Sequence, residues 1–337
     1  MYSNQYKPPF KITDKISNYL VEIGESVGEY RKTVSESVIQ HLRKDNKIHT
    51  VHSSLAIENN QLSEEQVSAW LNGQRIFGKQ KDILEVQNAF RVYDLLSSLD
   101  PYSEEDFLKA HAILTENLVP HSGNYRNIQV GVFQGEAVIH MGSPADLVPQ
   151  LMKQLFSWLK TSGTHPLIKS CVFHYEMVFI HPFEDGNGRM ARLWQSNILR
   201  AWNPLFEFLP VETLVYENQE AYYGSIQASD HAGDSTAFIE FMLKMITEAL
   251  IAAIQNTNDV NDEVNHDVNK QDIAARILDL IQADPKIRIK EISQKLNVSA
   301  STVDRKIADM KKNGILSRKG SKRNGVWMIA ETGNDNS

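Results

Sequence analysis

Residues 181–192 read HPFEDGNGRMAR, and this stretch constrains the chain more than any other. It holds one imidazole, an acid pair, two glycines around an asparagine, and two arginines. The apolar residues before it, Ile168, Cys171, Val172, Tyr175, Val178 and Phe179, recur at helical spacing. Pro182 disfavours helical geometry at His181, so that helix is expected to end there. A second helical pattern starts near Asn187 and runs through Leu193 and Ile198. The pair predicts a tight helix–loop–helix. Gly186-Asn187-Gly188 at the second helix start frees backbone N–H groups to converge on an anion. Arg189 and Arg192, three apart, share the helix face behind that anion site. Asp185 at the loop exit is a hard oxygen ligand suited to Mg²⁺ held against phosphates. His181 has an ordinary pKa suited to a general base at neutral pH. Taken singly, a histidine is most often structural and a GNG most often a turn. Their combination in this order points to phosphate chemistry.

HPFEDGNGRMAR resembles the signature of Fic-domain proteins, HxFx[D/E]GNGRxxR, and matches it at every fixed position. That family transfers AMP from ATP to a hydroxyl side chain of a target protein. The resemblance implies that His181 deprotonates the hydroxyl, Asp185 ligates Mg²⁺, and Gly186, Asn187, Gly188 and Arg189 hold phosphate. It implies that Arg192 meets the γ-phosphate and that Phe183 anchors the loop to the core.

At 337 residues the chain suits a core of domain size plus something smaller. Its 42% hydrophobic and 23% charged content is ordinary for a soluble globular protein. The single cysteine, Cys171, allows no disulfide within the chain, which favours a reducing, cytoplasmic setting. The N-terminus has no apolar signal core. The apolar helix expected around Phe238–Ile254 carries Glu240, Lys244 and Glu248, which argues against a membrane span. The net charge of −7 hides an asymmetry: residues 270–337 hold 14 Lys and Arg against 8 Asp and Glu. A basic tail on an acidic body hints at a nucleic-acid or acidic-protein partner.

Along the chain, a polar arm over residues 1–15 precedes a long amphipathic helix expected over Ile16–Leu42. Thr50–Asn60 reads as a further helix that Asn59-Asn60 can close in a left-handed cap. Ser63–Gln66 reads as a capping box. Ile83–Ser98 and Ser103–Leu118 are further helical patterns. Residues 129–141 alternate as a β-hairpin, which the resemblance equates with the flap that docks target segments by strand pairing. Pro144–Leu159, Tyr216–Ser229 and Ser235–Ile254 read as helices. Tyr223, beside Tyr222, fits the family's aromatic wall at the adenine. Where the family often has Asn to bond the base, this chain has Asp230, which accepts but cannot donate. Residues 256–270 are Asn- and Asp-rich and read as a linker. Beyond it, three short helices and a small hairpin resemble a winged helix-turn-helix. In that reading Asn297–Ser299 is the turn, and Ser301, Thr302, Arg305 and Lys306 are candidate DNA contacts. Arg318, Lys319, Lys322 and Arg323 form the wing. Winged helices also dock proteins.

Ser54–Asn59, SLAIEN, fits the family's inhibitory pattern [S/T]xxxE[G/N]. Ser54 and Glu58 point to one side of a helix. The resemblance implies that Glu58 pairs with Arg192 and keeps it from the γ-phosphate. The expected fold is mainly α: a helical region over 1–100 with an inhibitory helix near 50–60, a Fic core with its flap over 101–255, a linker over 256–270, and a winged helix over 271–330. The expected function is Mg²⁺-dependent AMP transfer from ATP to a Ser, Thr or Tyr hydroxyl of a protein, itself included, restrained by Glu58. Its rivals are removal of AMP by the same site, or a DNA-bound regulator with a nucleotide-sensing core. The expected partners are a target protein and DNA, with no membrane; a homodimer is compatible with the sequence.

Overall fold

The computed structural model describes residues 6–33, 36–134, 137–296, 298–320 and 325–330. The chain divides into two compact units, Met1–Thr257 and Asn258–Ser337.

The first unit opens with α1 (Asp14–Thr33) and α2 (Glu36–Ala56). The stretch expected as one helix over 16–42 falls on α1 and α2, and residues 34 and 35 lie outside the described residues. The SLAIEN stretch is the end of α2 rather than a separate helix. It closes as expected on Asn59, whose φ is 65°. Next come α3 (Glu64–Leu71), opened by a Ser63–Gln66 capping box, then α4 (Gln80–Leu95) and α5 (Glu104–Leu114). β1 (Gly131–Gln134) and β2 (Ala137–Met141) pair antiparallel, Gly131 opposite Met141, with an irregularity between Val132 and Phe133. α6 (Val148–Thr161), α7 (Pro166–Ile180) and α8 (Asn187–Trp202) follow. The pattern expected over Tyr216–Ser229 is split between α9 (Val211–Glu217) and α10 (Gln219–Ala232), with Asn218 at the joint.

α7 is buried on almost every face, which is why its sequence is apolar all round. It packs along α8, and the two form the centre of the unit. An aromatic cluster fills the space beside them: Phe107 lies 5.4 Å from Phe156, 5.5 Å from Phe183 and 5.1 Å from Trp194, centroid to centroid. Each such ring contributes roughly 2–3 kcal/mol of burial. Cys171 is wholly buried, and burial pushes its thiol up to about 12, so it is inert.

α11 (Thr236–Ala283) begins in the first unit and ends in the second. Its backbone is helical through 256–270, the stretch read as a linker, and the boundary between the two units falls within it. Asn and Asp are weak helix formers but do not break a helix already propagating from an apolar segment such as Phe238–Ile254. The second unit adds α12 (Ile289–Leu296), α13 (Ala300–Lys312), β3 (Leu316–Lys319) and β4 (Val326–Ile329), the strands antiparallel. Ile277, Ile292, Val303, Ile307 and Trp327 form its core. Trp327 Nε1 donates to Ile287 O at 3.0 Å. Ser299 caps α13; Asn297, Lys322 and Arg323 lie outside the described residues. Among the described residues no helix is long and apolar enough to cross a membrane.

Candidate active site

α7 stops at Ile180, and His181 caps it in the left-handed region at φ 56°, ψ 61°. A non-glycine residue there costs about 1 kcal/mol and needs outside support. Its N–H donates to Met177 O at 3.0 Å, and its carbonyl accepts from Arg126 Nε at 2.6 Å. The ring's Nδ1 lies 3.3 Å from Val178 O, which can only accept. The neutral ring therefore carries its proton on Nδ1, and Nε2 is the basic nitrogen.

Arg126 is the support that the sequence reading missed. It is buried at 2% exposure and also donates to Ile128 O at 2.8 Å, Ile180 O at 3.3 Å and Ser143 O. One guanidinium thus joins the end of α7 to the segments entering and leaving the hairpin. A Cβ at Gly142 would stand 2.8 Å from Arg126 Nη2, so a side chain there would push against this guanidinium.

The loop from His181 to α8 closes on itself. Asn187 Oδ1 accepts from Phe183 N, and Asn187 Nδ2 donates to Phe183 O, each at 2.9 Å. Phe183 is fully buried in the aromatic cluster and stacks on His111, ring centroids 3.6 Å apart. His111 is a second missed residue. Gly123 N–H donates to its Nδ1 at 2.9 Å, so its proton sits on Nε2 and is donated to Asp185 O at 3.1 Å. Burial pushes His111 down to about 4, which keeps the ring neutral.

Gly186 takes φ 83° at the start of α8. Asp185 Oδ1 accepts from Gly186 N at 2.6 Å and from Arg189 Nη2 at 3.1 Å. Burial pushes this carboxyl up, but the Arg189 charge, the Gly186 N–H and the Lys81 charge outweigh it and hold the group below its ordinary value. Arg189 Nη1 donates to Glu85 Oε1 at 3.2 Å, a third partner missed in the sequence.

Arg192 is 2% exposed and meets the end of α2. Its Nε donates to Ser54 Oγ at 3.1 Å, and its Nη2 donates to Ser54 O and to Glu58 Oε1, both at 2.8 Å. Burial pushes the guanidinium down, and the Glu58 charge reverses this and leaves it raised. A Cβ on Gly188 would come 2.2 Å from Glu58 Oε1. The carboxylate therefore sits directly on the first turn of α8, where exposed N–H groups attract an anion. Tyr223 is 46% exposed with its ring edge-on to Tyr222, 5.2 Å away. Tyr222 is buried, its hydroxyl 2.9 Å from His174 Nε2. Asp230 accepts from Tyr175 OH at 2.7 Å. Ser301, Thr302, Arg305 and Lys306 lie in the second unit, on the first half of α13, with Ser301 and Arg305 exposed and Thr302 and Lys306 partly so.

A model described as the Fic/DOC family matches residues 101–199, and one described as winged helix-turn-helix DNA-binding matches residues 271–317. The crystal structure of a Fic family protein from Desulfovibrio desulfuricans G20 is 38% identical, with 97% of this chain and 99% of that one covered and a TM-score of 0.71. The chain belongs to the Fic family. This Fic protein is also 29% identical over 228 residues to protein adenylyltransferase fic-1 of Caenorhabditis elegans, covering 64% of this chain and 43% of the relative. It is 27% identical over 241 residues to protein adenylyltransferase Fic of Nematostella vectensis, covering 67% and 51%. The Fic chain thus spans about half the length of these curated relatives.

Proposed function

We propose that the chain is a protein adenylyltransferase that moves AMP from ATP to a Ser, Thr or Tyr hydroxyl of a protein, its own included. The observation that carries this reading is the juxtaposition of a supported His181 with a glycine-rich helix start flanked by two buried arginines. Its relatives' names support it. The acceptor hydroxyl gives its proton to His181 Nε2, and its oxygen bonds the α-phosphorus. The bond from that phosphorus to the β-phosphate oxygen breaks, and pyrophosphate leaves. Gly186, Asn187, Gly188 and Arg189 hold phosphate, Arg192 clamps the γ-phosphate, and Tyr223 lines the adenine.

The donor set fits Mg²⁺: Asp185 is a half-exposed carboxylate with one oxygen engaged and the other left over. No group of three His, Cys, Asp or Glu fit for a metal occurs among the described residues. One carboxylate plus substrate phosphates is the usual way to hold Mg²⁺, which when bound neutralises phosphate charge. Glu58 is the brake: while it holds Arg192, the γ-phosphate cannot seat. α13 and the β3–β4 hairpin bind duplex DNA through Ser301, Thr302, Arg305 and Lys306. Transfer is tested with labelled ATP and target extract. Label on the α-phosphate should become protein-bound and label on the γ-phosphate should not; no covalent label in the Glu58→Gly protein refutes it.

A further inference from the structure

α2 ends in a cap that orients two side chains. Asn59 N–H donates to Ala56 O at 3.0 Å and Asn60 N–H to Leu55 O at 3.1 Å, with Asn59 left-handed. Glu58 reaches Arg192. Asn60 turns inward and is 8% exposed. Its Oδ1 accepts from Leu62 N at 3.1 Å, which fixes the orientation of the amide. Both hydrogens of Nδ2 therefore point the other way, to Glu85 Oε2 at 2.8 Å and Asp82 O at 3.1 Å.

Glu85, on α4, is 5% exposed. Its second oxygen takes Arg189 at 3.2 Å and lies 3.8 Å from Lys81 Nζ. Arg189 is itself 4% exposed and gives its other Nη to Asp185. Its Nε has no partner among the described residues, so two carboxylates alone set the guanidinium's place. A buried ion pair is a weak source of stability, because desolvation offsets much of the attraction. A tie between α4 and α8 could have been apolar. Instead, one Glu85 oxygen holds an arginine of the phosphate loop, and the other is locked by the residue two positions beyond Glu58.

We propose that Glu85 is a positioning residue that holds Arg189 at the phosphate loop, and that Asn60 makes this hold depend on the segment carrying Glu58. The proposal rests on the reading of Arg189 as a phosphate contact. The end of α2 then restrains both arginines, Arg192 directly through Glu58 and Arg189 through Asn60 and Glu85. Without Glu85, Asp185 is the only carboxylate left on Arg189, and the guanidinium loses the tether from α4 that fixes its direction.

The test uses the full chain in a His181→Ala background, so that no turnover intrudes. Glu85→Gln keeps the size of the side chain, but its single acceptor oxygen cannot serve both Arg189 and the fixed Nδ2 of Asn60, and its charge on Arg189 is gone. Asn60→Asp keeps the Leu62 contact and loses both donors. Phenylglyoxal labelling without nucleotide, read by peptide mass, reports the access of each arginine. In Glu85→Gln, Arg189 labelling should rise about tenfold, the scale of one hydrogen bond to a charged group, while Arg192 keeps the parent's rate. Asn60→Asp should raise Arg189 labelling in the same sense. Calorimetric affinity for ATP should fall and that for adenosine should not. An unchanged Arg189 rate overturns the proposal, and so does a joint rise of Arg189 and Arg192 in Glu85→Gln, which would mean general loosening. If Asn60→Asp fails to fold, Glu85→Gln decides alone. A raised Arg189 rate with unchanged ATP affinity supports the hold and overturns the phosphate role.

Discussion

Glu58→Gly removes the carboxylate that sits on Gly188 and pairs with Arg192. The lost contact is one charge-assisted hydrogen bond of 2.8 Å between a buried guanidinium and a carboxylate that is 34% exposed. Such a bond is worth about 1.5–3 kcal/mol when buried, and partial exposure to solvent brings this to about 1.5–2 kcal/mol. Arg192 keeps its two contacts to Ser54, so the protein should stay folded, at a stability cost of about 1.5–2 kcal/mol for the lost bond. If the γ-phosphate must displace Glu58, transfer should rise roughly ten- to thirtyfold. The assay is protein-bound label from α-labelled ATP at fixed target, with melting temperature as the control. Glu58→Gln retains an acceptor without charge and should lie between parent and Glu58→Gly. Glu58→Gly combined with Arg192→Ala should match Arg192→Ala alone, since the brake acts through that arginine. A folded Glu58→Gly protein with the parent's transfer rate refutes the brake. If the same variant also loses the ability to strip AMP from a modified protein, Glu58 serves removal as well as restraint.

His181→Ala should leave ATP affinity near the parent's and lower transfer about 10²–10⁴-fold; labelling at the parent's rate would remove His181 from the chemistry. His111 is neutral in the folded protein because burial lowers it to about 4, against about 6.5 when unfolded. The unfolded chain therefore binds the extra proton first, and His111's contribution is complete above about pH 6.5 and lost as pH falls toward 4. The loss is on the order of 3 kcal/mol, and His111→Gln should flatten that part of a denaturation-versus-pH curve. The full chain should bind duplex DNA with an affinity that falls as salt rises. Arg305→Ala should reduce the log–log salt slope by about 1, and an unchanged slope would exclude Arg305 from the phosphate contacts.

Local order was the most legible part of this chain. The loop from His181 to Arg192 is twelve consecutive residues whose chemistry and turn geometry are set by near neighbours. Pro182 ends one helix, glycine opens the next, and Asn187 closes the loop onto Phe183 four residues away. The left-handed close of α2 at Asn59 and the capping box at Ser63 were readable for the same reason. Helix boundaries were less so. The joint at Asn218 and the helical path through 256–270 depend on small propensity differences that the flanking segments override.

What holds the loop in place was not in the local pattern. His111, Arg126 and Glu85 stand 74, 55 and 104 positions from Asp185, His181 and Arg189. In the sequence each looks like an ordinary polar residue of a helix or turn. Only packing makes them buried, and burial is what obliges a histidine to be neutral with a fixed tautomer, an arginine to collect four carbonyls, and a carboxylate to find two donors. The sequence by itself determined which groups share the loop from His181 to Arg192, because that requires only neighbouring residues. The tertiary structure decided which distant groups orient them, because a buried polar atom must be satisfied by whatever the fold brings within hydrogen-bond reach.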